Sequence, residues 1–155
     1  MKNIGISIAL ILFTIGLSSN IQSNSSNTLQ EAKKAIAESN AIYFQAFARN
    51  DSSIFINRYA KDACIMAPNS VALCGPNAPL HFFKLAYETI GLRNGTFITT
   101  QVYGTGDNFV VEEGLWQSFD ANNTLFDDGK FLVLWKKTDN GWKMFRDSFS
   151  SNRTH

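Results

Sequence analysis

The stretch "DDGKFLVLWKKTDNGWKMFRDSFSSN", Asp127 to Asn152, decides the architecture. It holds two runs rich in aromatic and branched residues, about Gly129 to Lys137 and Trp142 to Ser150, separated by "TDNG". Runs of this kind bounded by Asp, Asn and Gly read as strands joined by a turn. Successive side chains on a strand point to opposite faces. Phe131, Val133 and Trp135 therefore share one face, and Leu132 and Leu134 share the other.

Upstream, Thr96 to Tyr103 and Phe109 to Phe119 read as two more strands, punctuated by "GTGDN" and "DANNT". The half before them is helical. Thr28-x-x-Glu31 has the form of a capping box. The helix it opens is predicted to run to about Ala48, with Leu29, Ala32, Ile36, Tyr43 and Phe47 on one broad face. Asp51 or Ser52 can cap a short second helix to about Ala60. Gly75-Pro76 starts a third, which stops at Gly91. Helices first and an antiparallel meander second give the α+β class. A strongly curved sheet wrapped round the long first helix would leave a hollow, and thirteen phenylalanines suit its lining.

The chain has 155 residues, 45% hydrophobic and 17% charged, enough for one globular domain. Lys2 followed by the apolar run Ile4 to Leu17, then Ser18 and Ser19, has the pattern of a secretory signal peptide. The run is short for a membrane span, and an uncleaved anchor is the alternative. The expected organisation is a leader over 1–23, a Ser/Asn linker over 24–27, and one domain over 28–152. The expected location is secreted or periplasmic, with no membrane association after cleavage. Without Lys2 the chain carries 13 basic and 13 acidic residues. No basic face is visible for nucleic acid. Sequons at Asn24, Asn50, Asn94, Asn122 and Asn152 matter only in a eukaryotic secretory pathway.

Taken in order, "YAKDACIMAP", "LCG", "GLW" and the opening stretch resemble the nuclear transport factor 2-like superfamily, in its SnoaL-like, ketosteroid-isomerase-like branch of unknown function. The resemblance covers about Leu29 to Asn152. It implies a cone-shaped, cystatin-like α+β fold with three helices and a mostly antiparallel curved sheet. It also implies a hollow for a small molecule and a dimer through the outer sheet face. Such folds serve isomerases, dehydratases, cyclases and non-catalytic modules, so fold alone does not give function.

Matched residue by residue to ketosteroid isomerases, the catalytic base position is Ala67, and alanine cannot take a proton. The oxyanion tyrosine matches Tyr43, and the oxyanion aspartate position is Val133. The isomerase mechanism therefore lacks two of its three groups. The weak catalytic candidates that remain are Tyr43, His81, Glu112 and Glu113. Tyr43 is either a packed tyrosine or a polar group of the pocket. His81 reads first as a surface histidine. One of the adjacent Glu112 and Glu113 faces inward, either as an acid–base group or salt-bridged near the rim, the second being preferred. Asp147 matches the family's final-strand aspartate and reads as a rim or structural group. Asp62 reads as a cap or turn between the second helix and the first strand.

If Val133 points inward, Phe131 and Trp135 join it in the pocket, with Tyr43, Phe47 and Phe82 from the helices. Leu132 and Leu134 then face outward, which supports a homodimer through the convex sheet. No Cys/His set has metal spacing, so no metal site is expected, and no motif calls for a cofactor. The only two cysteines flank Pro68-Asn69-Ser70. A turn centred on Asn69 places Cys64 opposite Cys74 and Ile65 opposite Leu73, which predicts a cross-strand disulfide; a one-residue slip would leave two free thiols. The leading function is a secreted protein binding a small, largely apolar molecule. The alternatives are a lyase or isomerase using Tyr43 with a pocket Glu or His, and a non-catalytic assembly module.

Overall fold

The computed structural model describes residues 18–153, with side-chain surroundings from residue 27. The leader up to residue 17 lies outside the described residues. Helix α1 spans Ser18–Tyr43 and so runs through the Ser/Asn stretch expected as a linker. The capping box at Thr28 is therefore corrected. Thr28 sits inside the helix, and its hydroxyl donates to the Thr105 carbonyl at 3.0 Å. Glu31 reaches Lys137 at 3.2 Å. Both side chains dock the helix on the sheet instead of closing its end. Gly106 makes that approach possible: it has φ +82°, and an added Cβ would strike the backbone of Thr28 and Leu29.

The long helix expected to reach Ala48 breaks at Phe44. The carbonyl of Phe44 accepts from both Phe47 and Ala48, and a short α2, Gln45–Arg49, follows. Asn50 ends it in the left-handed region at φ 51°. Asp51 then caps α3, Ser52–Ile56, by accepting from the Ser53 amide at 2.9 Å. Helix α4, Ala78–Lys84, passes into a π-helical turn, Leu85–Ile90, that stops at Gly91 with φ 84°.

Six strands form one open sheet: β1 Tyr59–Met66, β2 Leu73–Cys74, β3 Asn94–Tyr103, β4 Phe109–Phe119, β5 Leu125–Thr138 and β6 Gly141–Ser151, in the order β2-β1-β6-β5-β4-β3. The hairpin expected around Pro68-Asn69-Ser70 joins the four later strands as β1 and β2 at one edge of the sheet. β1 pairs parallel to β6, and all other pairs are antiparallel. β1 starts earlier than the sequence suggests because Tyr59 and Ala60 already pack into the core. Asp62 lies on this strand and reaches Lys136 at 2.8 Å; it neither caps nor turns the chain. The β1–β2 hairpin has Cys64 opposite Cys74 and Ile65 opposite Leu73 as expected, with a Cys64–Cys74 disulfide and Asn69 at φ 54° in the turn.

The sheet's concave face packs on α1. Ile36, Tyr43, Val110, Trp135 and Met144 belong to one core with Phe47, Phe55 and Phe83. Phe47 stacks on Phe83 at 4.9 Å and meets Phe55 edge-on at 5.3 Å. These rings fill the space between the helices; burying each contributes on the order of 2–3 kcal/mol. No helix among the described residues is long and apolar enough to cross a membrane.

Candidate functional site: a hollow with two buried carboxylates

The aromatic core does not fill the whole space under the helices. A cavity of about 300 Å³ remains between the concave sheet face, α1 and the π-helical turn. Phe44, Phe82, Phe97, Trp116, Phe131 and Phe149 supply much of its wall, with Leu85, Ala86, Leu92 and Met144. Ala67, Pro68, Asn69 and Ser70, from the disulfide-closed hairpin, form one lip. Asp127, near the start of β5, and Arg153, just after β6, border the same end of the sheet.

The two buried carboxylates of the wall come from one row across the sheet. Val133 on β5 pairs with Glu112 on β4 and with Asp147 on β6. All three side chains are buried and line the cavity. Two strand spacings separate the carboxylates, about 10 Å between their backbones. Glu112 is fully engaged. Its Oε1 accepts from Asn40 Nδ2 at 2.7 Å and from Thr99 Oγ1 at 2.6 Å, and its Oε2 accepts from Trp135 Nε1 at 2.9 Å. Burial raises its pKa, and the three donors oppose that rise.

Asp147 is less well served. Its Oδ2 accepts from the Tyr59 hydroxyl at 2.6 Å, the single hydrogen bond to its side chain among the described residues. Burial pushes its pKa up to about 6, the Tyr59 bond opposes this, and the charge of Glu112 adds to it. The Tyr59 hydroxyl in turn lies 3.4 Å from that of Tyr43. Burial, and next the charge of Asp147, hold both phenols well above their ordinary range. A chain of three titratable groups therefore runs from Tyr43 on the cavity wall, behind it through Tyr59, and back to Asp147.

No protein-family model matches the sequence, and no curated protein does. Solved structures do. A domain of unknown function with a cystatin-like fold from Nostoc punctiforme is 17% identical with TM-score 0.67, over 79% of this chain and 78% of that one. A nuclear transport factor 2-like protein of unknown function from Shewanella oneidensis is 17% identical with TM-score 0.64, over 77% and 98%. A ketosteroid isomerase-like protein from Erwinia carotovora is 20% identical with TM-score 0.61, over 77% and 96%. The chain has the nuclear transport factor 2-like fold. At these identities the likeness carries the architecture and not an activity.

Within this fold the sequence candidates divide. Tyr43, Ala67 and Val133, matched to isomerase positions, all line the cavity, as do Phe82 and Phe131. Phe47 and Trp135 are fully buried but lie behind the wall; Phe47 packs among rings and Trp135 donates to Glu112. His81 is exposed on α4 and is not part of the lining. Glu113 faces the convex side, where the Tyr103 hydroxyl donates to it at 3.4 Å. Asn50, Asn94 and Asn122 are exposed.

The rim placement of two carboxylates is overturned. Glu112 is neither salt-bridged nor at the rim; neutral donors hold it in the interior. Asp147 is not a rim residue but a buried wall residue, only 7% exposed. The cause is a bulge. Trp142 and Met144 face inward, and strict alternation would then bring Arg146 and Ser148 in. The register shifts between Met144 and Arg146, so Phe145 is the extra residue and the phase flips. Asp147 and Phe149 enter the cavity, and Arg146 turns out, its guanidinium 3.7 Å above the Phe145 ring. Tyr59 and Asn40 were also missed as polar partners. The tyrosine of "YAKDA" offered a signal, an aromatic hydroxyl opening a buried strand.

Proposed function

We propose that this chain is an exported protein that holds a small, largely apolar molecule in the hollow and does not run the ketosteroid isomerase reaction. The supporting observation is a cavity of about 300 Å³ walled by aromatic rings and left open by the core. Ala67 and Val133 deprive it of the isomerase base and oxyanion acid. The Cys64–Cys74 disulfide fits an oxidising compartment. Trp116 lines the hollow, so occupancy is readable by its fluorescence. Titration with 2-naphthol should quench it saturably, and Val133→Phe, which fills the floor, should abolish the quench while the protein stays folded. Equal quenching by both proteins would defeat the reading.

A second reading, acid–base catalysis, is favoured by one observation: Tyr43 and Asp147 are joined through Tyr59. It replaces the His81 and Glu113 candidates with Asp147. Proton exchange at the carbon beside a bound ketone, lost in Asp147→Asn, would support it; no exchange above the background in water would remove it.

The proposal includes a homodimer through the convex face. Ile98 and Leu115 are cross-strand partners there, 47% and 44% exposed, and Leu132 on the next strand is 48% exposed. Leu132→Asp should convert a dimer to a monomer in sedimentation velocity; a wild-type monomer at micromolar concentration contradicts it.

A further inference from the structure

The charge of the hollow is one-sided. Among the described residues three carboxylates line it, Glu112, Asp127 and Asp147, against one cationic side chain, Arg153, which is exposed. The two buried carboxylates have different partners. Glu112 accepts three hydrogen bonds from neutral groups, which satisfies its oxygens without any ligand. Asp147 accepts one, through Oδ2 from Tyr59, and its other oxygen has no donor among the described residues. A buried carboxylate with an unserved oxygen on a cavity wall lacks a donor, and a cation is the strongest donor that could meet it.

Several of the remaining donors on the lining are already engaged: Ser70 with the Ala67 carbonyl and Ser151 with Asp127. The Asn40 amide, which also lines the hollow, already donates to Glu112. Among the described residues no lysine lines the wall. A carboxylate or phosphate entering the hollow would meet two like charges and no buried cation. An ammonium would meet Asp147 directly, with the rings of Phe82, Trp116 and Phe149 around it. Phe149 packs edge-on to both Phe82 and Trp116, at 6.0 and 5.7 Å. Aromatic faces near a carboxylate favour organic cations.

We infer that the hollow is selective for small apolar amines, with Asp147 receiving the protonated nitrogen and the aromatic wall taking the carbon skeleton. This rests on the hollow being a ligand site. It names the ligand class that the cavity's shape alone leaves open. Glu112 is held by its own three donors two strands away along the row.

The test is a matched series on one skeleton: 2-naphthylmethylamine, 2-naphthylmethanol and 2-naphthoate, each titrated into the full chain by calorimetry at pH 7.5. The amine should bind at least tenfold more tightly than the alcohol, and the carboxylate should be weakest. Asp147→Asn should bring the amine down to the level of the alcohol. The pH profile provides a second readout on the unaltered protein. The titratable groups near Asp147 are Tyr59 from β1, Tyr43 from α1 and Glu112 from β4; β5 sets apolar Val133 beside it and carries Asp127 further along the lining, where Arg153 follows β6. Burial holds the Asp147 pKa up at about 6, so amine affinity should fall below that pH more steeply than alcohol affinity. An alcohol that equals the amine, or a carboxylate that exceeds it, overturns the inference but leaves the ligand site standing. Binding by none of the three overturns both.

Discussion

Replacing Asp147 by asparagine should stabilise this protein, and the gain should depend on pH. In the folded chain burial moves the Asp147 pKa from 3.8 up to about 6. Those two values lie about 2 pH units apart, and each unit corresponds to about 1.4 kcal/mol, so ionised Asp147 costs the native state roughly 3 kcal/mol. The sign follows from where each state loses its proton. Below about pH 4 the carboxyl is neutral folded and unfolded, and the cost is absent. Between about pH 4 and 6 the unfolded chain has released a proton that the native state still holds, so stability falls as pH rises. Above about pH 6 both states are ionised and the full cost is present. Asparagine carries no charge and keeps an oxygen to accept from Tyr59. The variant should match the parent near pH 4 and exceed it by up to about 3 kcal/mol at pH 7.5, a rise in Tm of roughly 10 °C for a domain of this size. Urea unfolding at pH 4, 5, 6 and 7.5 reads the difference directly. A variant less stable than the parent at pH 7.5, by a deficit that grows from pH 4 upward, would refute the reasoning, because it would make the anion a prop of the fold. The expected result is a residue kept for something other than stability.

Three further outcomes follow from the contacts described. Cys64→Ser with Cys74→Ser should lower stability by about 2–3 kcal/mol, the loop-closure value for a ten-residue separation, and reductant should do the same to the parent; guanidinium curves unchanged by reductant would contradict this. Glu112→Ala strands the Trp135, Asn40 and Thr99 donors and should cost about 2–3 kcal/mol, with loss of hydrogen-exchange protection at the Trp135 indole; a neutral substitution would mean that water replaces the carboxylate. Gly129→Ala drives a methyl into the Ser150 carbonyl and to 2.8 Å from the Trp116 indole nitrogen, which donates to that carbonyl. Thermal unfolding should show a loss of roughly 2–4 kcal/mol, and an unchanged Tm would show that the strand end can shift.

The fold was legible because its signals are local and repeated. Period-two runs on β4, β5 and β6, punctuated by glycine turns, fixed those strands to within a few residues at their ends. The pairing of Cys64 with Cys74 needed only the centre of one turn. Thr28 misled because a capping-box pattern says nothing of a tertiary partner, and the carbonyl of Thr105 lies 77 residues away. The parallel pairing of β1 with β6 leaves no mark in either strand's own sequence. Half the candidate site was legible for the same reasons. Val133 and Phe131 follow from alternation, and Glu112 from being one of two adjacent glutamates. Asp147 was hidden by a single extra residue at Phe145, since a bulge reverses which side chains face the core without changing composition. Tyr59 was hidden because its role depends on a carboxylate 88 positions further on.

The central claim is that the space between α1 and the concave sheet is a binding site. Chemical-shift mapping with 2-naphthol on uniformly labelled protein tests it most directly. Saturable shifts should concentrate at Phe97, Trp116, Phe131, Val133 and Asp147, and should be absent from the convex residues Ile98, Leu115 and Leu132. Shifts confined to the convex face, or none at millimolar ligand, would contradict the account.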